Sequence, residues 1–352
     1  MTSPGKRWGN IIKKLIPAFI REDYTPYDCK VSALKENYNL RARIIHAKNI
    51  IKSSINLKRI PFRTPIQCNN CLFDTRVPNI YITRDGICNM CAAYKKNLDV
   101  NLLKTELNQF LSIKNESGAK YDAIVAFSGG KDSTVSLCIA VQELKLKVIA
   151  VLVDNGFIPQ AVIQNGQEIC DKLGVPLRIE KINFAPKVAE LLKTNFSTGY
   201  PCNICTVLFH DVLTNVCIEQ RVNRVILGRN WWRILDPKVK SVRIVEPPGV
   251  NWNIQFMSLP FALQLKEGDQ KLYLKSVGWQ NKSIYGDSTN CLIPGLVEQI
   301  VFNRIGYHPE LNLLSREVIT GFITKEEASP KIAKVKDLSR DLKKILKLKT
   351  EL

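Results

Sequence analysis

Residues 122–144 read "DAIVAF", then "SGGKDS", then "TVSLCIAVQEL". An apolar run without alternation reads as a strand buried on both faces. The two glycines break that run, and helical spacing follows from 133. A strand, a tight glycine turn and a helix in direct succession commit the chain to packing a helix on a sheet. The pattern then recurs. "KVIAVLVD" (147–154) reads as a second strand and "QAVIQNGQEICDKLG" (160–174) as a helix ending at Gly174. "PLRIEKI" (176–182) and "RVILGRN" (224–230) read as two further strands. Strands alternating with helices predict an α/β fold with a doubly wound parallel sheet. Such sheets bind ligands at the carboxyl ends of their strands. Residues 231–285, rich in Trp and Pro, read as an irregular insertion over that edge.

Ser128, Gly129, Gly130, Lys131, Asp132 and Ser133 sit where a strand ends and a helix opens. Backbone N–H groups and the helix dipole favour an anion there. Glycines let the main chain approach oxygen atoms closely. Lys131 adds a mobile positive charge and the serines add donors. The spacing is neither that of the Walker loop nor the dinucleotide G-x-G-x-x-G. The plain alternative is a glycine–serine turn that binds nothing. The six residues match the SGGxDS signature and so resemble the PP-loop ATP pyrophosphatase superfamily, whose fold is adenine nucleotide alpha hydrolase-like. That resemblance implies that ATP is cleaved between its α and β phosphates and that AMP passes to a carbonyl-type oxygen, which a nucleophile then displaces. Departing pyrophosphate must be neutralised, by oriented amides, by Lys131 and by bridging Mg²⁺ that Asp132 helps to hold. The resemblance places Asp154, which ends the second strand, and Gly228 and Arg229, which follow the fourth, against the nucleotide.

There are eleven cysteines, and six of them fall in C-x-x-C pairs. An odd count in such pairs suits metal or redox chemistry in a reducing compartment better than a disulfide framework. Cys68-x-x-Cys71 and Cys88-x-x-Cys91 are separated by 16 residues. Two knuckles at that distance predict a tetrahedral zinc ribbon of structural rather than catalytic role, because four thiolates leave no open position. The module's wording, "CNNCLFDTRVPNIYITRDGICNMCAAY", is similar to the opening of the N-acetyl sugar amidotransferases of surface-polysaccharide biosynthesis (such as lipopolysaccharide). "VGWQNKSIYG" and "IGYHPELNLLSREVITGFITKEEA" resemble that family's closing segments. The resemblance covers about 65–329. It implies a sugar-nucleotide substrate, nitrogen as the incoming atom and ammonia from a separate glutaminase subunit.

A second cysteine set complicates the choice of atom. Cys202-Asn203-Ile204-Cys205 follows the third strand, and Cys291 lies far downstream. Three such cysteines beside a PP-loop resemble the cluster-dependent tRNA thiolation enzymes, where they hold a 4Fe-4S cluster with one open iron. On that resemblance the substrate is tRNA or a small molecule, and sulfur is the incoming atom. The sugar amidotransferases carry the C-x-x-C but are not associated with Cys291. A second zinc, a redox pair and inert thiols are further readings. Cys202 and Cys205, with Lys131 and Asp132, are the catalytic candidates. Cys29, Cys138, Cys170 and Cys217 read as core or surface residues. His46 and His308 read as structural, and His210 as a ligand or proton carrier.

The net charge of +19 is concentrated at the ends, with +10 on residues 1–66 and +5 on residues 330–352. That is an RNA or anionic-lipid footprint, or else solvated helix faces. The chain reads as a basic helical N-terminal arm (1–66), the zinc ribbon (67–95), the PP-loop domain (96–325) and a basic C-terminal helix (326–352). Within the arm, Trp8, Ile11, Ile12, Leu15, Ile16, Phe19 and Ile20 fall at helical spacing, and Pro17 would kink the helix. Such a helix lies on a membrane surface or packs on the main domain. Lys13 and Lys14 interrupt any signal-peptide core, and no run of about 18 apolar residues is present, so the chain reads as cytoplasmic. A nucleotide-binding adaptor docking through its basic ends is the non-enzymatic alternative.

Overall fold

The computed structural model describes residues 64–94, 98–229, 231–232, 234–236, 238–282 and 288–350, with side chains as far as 347. The first 63 residues, including the Trp8–Ile20 pattern, Cys29 and His46, lie outside the described residues, as do 283–287 within "VGWQNKSIYG". From Gln67 on, apart from 197–199, the residues form one compact unit.

Its frame is a six-stranded sheet. The strands are β1 (Ala123–Ala126), β2 (Val148–Asp154), β3 (Leu177–Lys181), β4 (Arg224–Leu227), β5 (Val242–Val245) and β6 (Ile254–Ser258). Their order is β3-β2-β1-β4-β6-β5, parallel throughout except for the antiparallel edge strand β5. Strand order reverses between β1 and β4. In an open α/β sheet that reversal opens a crevice at the carboxyl ends.

Alternation along each strand divides the core. Ile124, Ala126, Ile149, Val151, Val225, Leu227 and Phe256 belong to one buried cluster, whereas Ala123, Val125, Ala150, Ile226 and Met257 belong to the other. A side-chain period of two sends neighbours to opposite faces, so a central strand with both faces covered must be apolar at every position. All four residues of β1 and of β4 are buried. The first cluster takes in the cysteine module 68–91 and helix α6 (Pro201–Gln220). It also takes in α10 (Leu311–Ile319). The second cluster takes in α3 (Lys131–Cys138) with its π-turn Ile139–Glu143, α4 (Gln160–Leu173) and α8 (Gln270–Val277). Helix α2 (Val100–Ser112) serves both, through Leu103 and Phe110. The remaining helices are α1 (Asn89–Ala93), α5 (Ala185–Leu192), α7 (Leu259–Ala262), α9 (Ile293–Ile305), α11 (Lys325–Ala328) and α12 (Ser339–Thr350).

Three sequence expectations change. Residues 231–285 are not irregular: they supply β5, β6, α7 and α8. The Trp and Pro content hides two strands of only four and five residues. The single C-terminal helix is broken. Thr324 closes a capping box on α11, Ser329–Ile332 is a 3₁₀ turn holding Pro330, and regular helix resumes at Ser339. In between, the Lys336 N–H donates to Glu298 Oε1 at 2.8 Å instead of to a helical carbonyl. Among the described residues α6 is long and apolar enough, by length and composition alone, to cross a membrane. Scattered polar residues such as His210 and Asp211 hide it from a count of uninterrupted apolar residues, and it packs on β2 and β4.

Arg224 joins the sheet to its flank. This buried side chain donates from Nε to the Asp122 carbonyl at 2.8 Å and from Nη1 to the Leu111 carbonyl at 2.9 Å. Arg224→Met removes both hydrogen bonds. The Asp122 carbonyl keeps the Asn115 amide at 2.9 Å, so the loss falls mainly on the Leu111 carbonyl and is expected to cost about 1–3 kcal/mol. Urea unfolding would show this as a lower midpoint at unchanged slope.

Candidate functional site: a phosphate cradle beside a cysteine set

The glycine loop leaves β1 at the strand-order reversal. Gly129 has φ +72°, and a Cβ there would meet Val162 Cγ1 at 2.8 Å. The loop is cross-braced by its own hydroxyls. Ser133 Oγ accepts from Ser128 N at 3.1 Å, lies 3.1 Å from Ser128 Oγ and donates to the Gly130 carbonyl at 3.0 Å. Gly130 caps α3 without a side-chain hydrogen bond of its own, and the first amide of the helix, Lys131 N, donates to Thr289 Oγ1. Lys131 Nζ lies 2.9 Å from Asp132 Oδ1 and 3.8 Å from Glu267 Oε1. Burial alone would lower the Lys131 pKa, but the carboxylates of Asp132, Glu267 and Glu317 outweigh it and the net shift is upward. Lys131 is therefore held as a cation.

Gly228 follows β4 across the reversal. A Cβ on it would lie 2.5 Å from Ser133 N and 2.6 Å from the Asp132 carbonyl carbon. Its first duty is thus close packing of β4 on the start of α3. Next to it, Arg229 donates from Nη2 to Thr206 Oγ1 at 2.9 Å, and its carbonyl accepts from Ser258 Oγ. His210, one turn further along α6, is buried and wedged edge-on against Phe256, with ring centroids 5.0 Å apart. Burial first, and then Arg229, push its pKa down to about 3. It is a neutral core residue. His308 is buried too, with Nε2 3.2 Å from Glu298 Oε1 and Nδ1 accepting from Glu310 N at 3.1 Å.

Asp154 ends β2, and its Oδ1 accepts from Gly156 N at 2.8 Å. The next residue, Asn155, is buried and gave no signal in the sequence beyond its place at a strand end. Its Nδ2 donates to Cys205 Sγ at 3.4 Å and to Cys291 Sγ at 3.7 Å. Cys202 lies one helical turn before Cys205 on α6. The tertiary structure therefore gathers Cys202, Cys205 and Cys291 at the carboxyl end of β2. Burial raises all three thiols, Cys291 to about 11. Thiols raised in this way stay protonated and neutral near neutral pH.

The segment that carries Cys291 also reaches the loop. Trp279 Nε1 donates to the Gly129 carbonyl at 2.9 Å, and Lys131 N donates to Thr289 Oγ1 at 3.2 Å. Leu292 N donates to the Phe157 carbonyl at 3.0 Å. Trp279, Thr289, Glu267 and Asn155 are the site residues that sequence reasoning missed. Each acts through a contact distant in sequence.

Cys68, Cys71, Cys88 and Cys91 form a second centre. Among the described residues they are the one group of metal-ligating side chains whose ligand atoms all lie within 4.8 Å of one another, so the second cysteine set is spaced more widely. Cys68 and Cys91 sulfurs are 3.7 Å apart, and those of Cys71 and Cys88 are 3.6 Å apart. Hydrogen bonding from Cys71 first, and from Cys88 and Cys68 besides, brings Cys91 down to about 6. Backbone N–H groups of Asn70, Cys88 and Cys91 point at these sulfurs, as they do around bound thiolates. The donor set fits a metal ion. Lys325 fastens the module from α11, with Nζ donating to the carbonyls of Cys68 at 2.8 Å and Asn69 at 2.9 Å.

Residues 101–229 match the family described as the PP-loop domain. An uncharacterized protein of Methanocaldococcus jannaschii is 24% identical over 282 residues, spanning 77% of this chain and 94% of its own. Among solved structures, the U34-tRNA thiolase NcsA of Methanococcus maripaludis with its 4Fe-4S cluster aligns at 20% identity and a TM-score of 0.35, over 73% of this chain and 86% of that one. The NH3-dependent NAD synthetase of Campylobacter jejuni aligns at 14% identity and 0.33, over 66% and 96% of the two chains. The NMN synthetase of Francisella tularensis aligns at 16% identity and 0.34, over 66% and 92%.

Gly228→Ala forces main-chain atoms apart, with no flexible neighbour to yield. The substitution is expected to lower stability by about 1–3 kcal/mol and to weaken ATP binding at least tenfold by calorimetry. Gly268→Ala, where a Cβ meets nothing within 4 Å, leaves stability unchanged.

Proposed function

We propose that this protein is an ATP-dependent adenylating enzyme that activates a substrate oxygen and replaces it with nitrogen, in the manner of the N-acetyl sugar amidotransferases. ATP is cleaved between its α and β phosphates. AMP passes to a carbonyl-type oxygen of the sugar nucleotide, and pyrophosphate departs. Ammonia from a separate glutaminase attacks the activated carbon, and the oxygen leaves on AMP.

Supporting this reading above all is the position of the loop. SGGKDS lies at the strand-order reversal, at the start of α3, and carries the Lys131 cation. In the proposed roles, Ser128, Gly129, Gly130 and Ser133 cradle pyrophosphate, and Lys131 neutralises charge as the α–β bond breaks. Asp132 holds Mg²⁺, which when bound supplies further neutralisation of the phosphates. Asp154 and Arg229 face the nucleotide's adenosine half. Trp279, within the closing segment that resembles the sugar amidotransferases, donates to this loop, and the loop's Lys131 N donates to Thr289 just beyond that segment. The four-cysteine centre takes Zn²⁺ and anchors the module on which α11 rests.

A second reading, sulfur as the incoming atom, draws on one observation: Cys205 and Cys291 share the Asn155 donor at the nucleotide end of β2. In that case Cys202, Cys205 and Cys291 hold a 4Fe-4S cluster, which when bound supplies an open iron for sulfur. The substrate is then tRNA or a small molecule.

Lys131→Ala is expected to fold normally and to lose at least about a hundredfold in AMP and pyrophosphate release. An unchanged rate, or ADP and phosphate as the products of the parent protein, would refute the loop's role. Anaerobic purification separates the two atoms. A colourless protein with AMP release stimulated by ammonia supports nitrogen. A brown protein whose visible absorption disappears in Cys291→Ala overturns it in favour of sulfur.

A further inference from the structure

We infer that Asn155 is a positioning residue for the second cysteine set: its side-chain amide holds the sulfurs of Cys205 and Cys291 on one donor pair and ties them to the strand that presents Asp154. The inference rests on the reading that these thiols serve the adenylation site.

The orientation of the amide is determined by its surroundings. Asn155 Oδ1 accepts from Phe157 N at 2.9 Å, which leaves Nδ2, a donor only, facing the sulfurs. The Phe157 carbonyl in turn accepts from Leu292 N at 3.0 Å. One short turn after β2 thus grips both Cys291 and the residue after it. Cys205 arrives from an independent direction, in the first turns of α6. The two cysteines stand 86 positions apart in sequence and meet through a residue that belongs to neither segment. Asn155 is 7% exposed, and a polar side chain that deeply placed must have its hydrogen bonds satisfied. Its two amide protons have two sulfur lone pairs as acceptors. Donors of this kind favour negative charge on sulfur and set the direction in which the lone pairs point.

Asn155 also adjoins Asp154, whose Oδ1 is held by the following Gly156 N–H. Two consecutive side chains therefore fold back on the same turn. One faces the site assigned to the nucleotide and the other faces the thiols. Any shift of this turn moves both.

The test is residue-resolved alkylation. Native protein is treated with iodoacetamide at one fixed alkaline pH, and the labelling rates of Cys202, Cys205 and Cys291 are read by peptide mass spectrometry. In Asn155→Leu the donor is lost at similar side-chain volume. Cys205 and Cys291 are expected to slow together by about tenfold, the factor that one hydrogen bond to a charged sulfur is worth. A purely structural role would instead open the site and speed both reactions. Asn155→Asp keeps the acceptor for Phe157 N and removes the donor, so it carries the test should Asn155→Leu unfold. Unchanged rates, faster rates, or a change at only one of the two cysteines would overturn the inference. Cys205→Ser and Cys291→Ser, assayed for AMP release and product, examine the underlying reading separately. If both retain wild-type turnover, the thiols have no part in the reaction, whatever the alkylation rates report about Asn155.

Discussion

The site depends on one close approach: the backbone at Gly228 against the backbone of Asp132 and Ser133. A methyl group at 228 would sit 2.5 Å from Ser133 N. Because nothing larger than hydrogen stands there, the exit of β4 packs directly on the first turn of α3. That contact closes one wall of the crevice at the strand-order reversal. It also sets the start of α3, where partial positive charge collects, at that reversal. Gly129 does the complementary work on the other side, turning at φ +72° beneath Val162. Small residues at both positions are what allow main chain to approach main chain this closely.

Charge is added to this cradle from a distance. Lys131 belongs to the loop, but Glu267, which together with Asp132 keeps it cationic, comes from the region after β6. Glu267 also lies 3.4 Å from Lys331 in the C-terminal segment. Trp279 and Thr289 hold the loop from the segment that continues to Cys291. Segments that are far apart in sequence therefore meet at this one loop. The four-cysteine module is fastened in the same manner, through Lys325.

The legible parts of this architecture were those carried by local pattern. Unbroken apolar runs marked β1, β2 and β4, because strands covered on both faces have no polar side to show. SGGKDS marked the loop, because its chemistry lies in six adjacent residues. C-x-x-C spacing marked the quartet, since two knuckles can enclose one metal wherever the rest of the chain goes. The strands β5 and β6 were hidden by their shortness and by tryptophans that belong to the packing around Phe261. The break at Pro330 was obscured by amphipathic spacing that continues across it. His210 suggested a ligand from its distance to Cys205, but its place on α6 turns it into the core.

By itself the sequence determined the α/β class, the phosphate loop and the four-thiol centre, because each is written within a few tens of residues. Only the tertiary structure decided that Cys202, Cys205 and Cys291 stand together, that Asn155 joins two of them to the end of β2, and that Gly228 is a packing residue. These relations hold between backbone and side chains up to 136 positions apart in the chain. No local pattern encodes them, because they arise only when β1, β2 and β4 lie side by side and bring their carboxyl ends to one crevice.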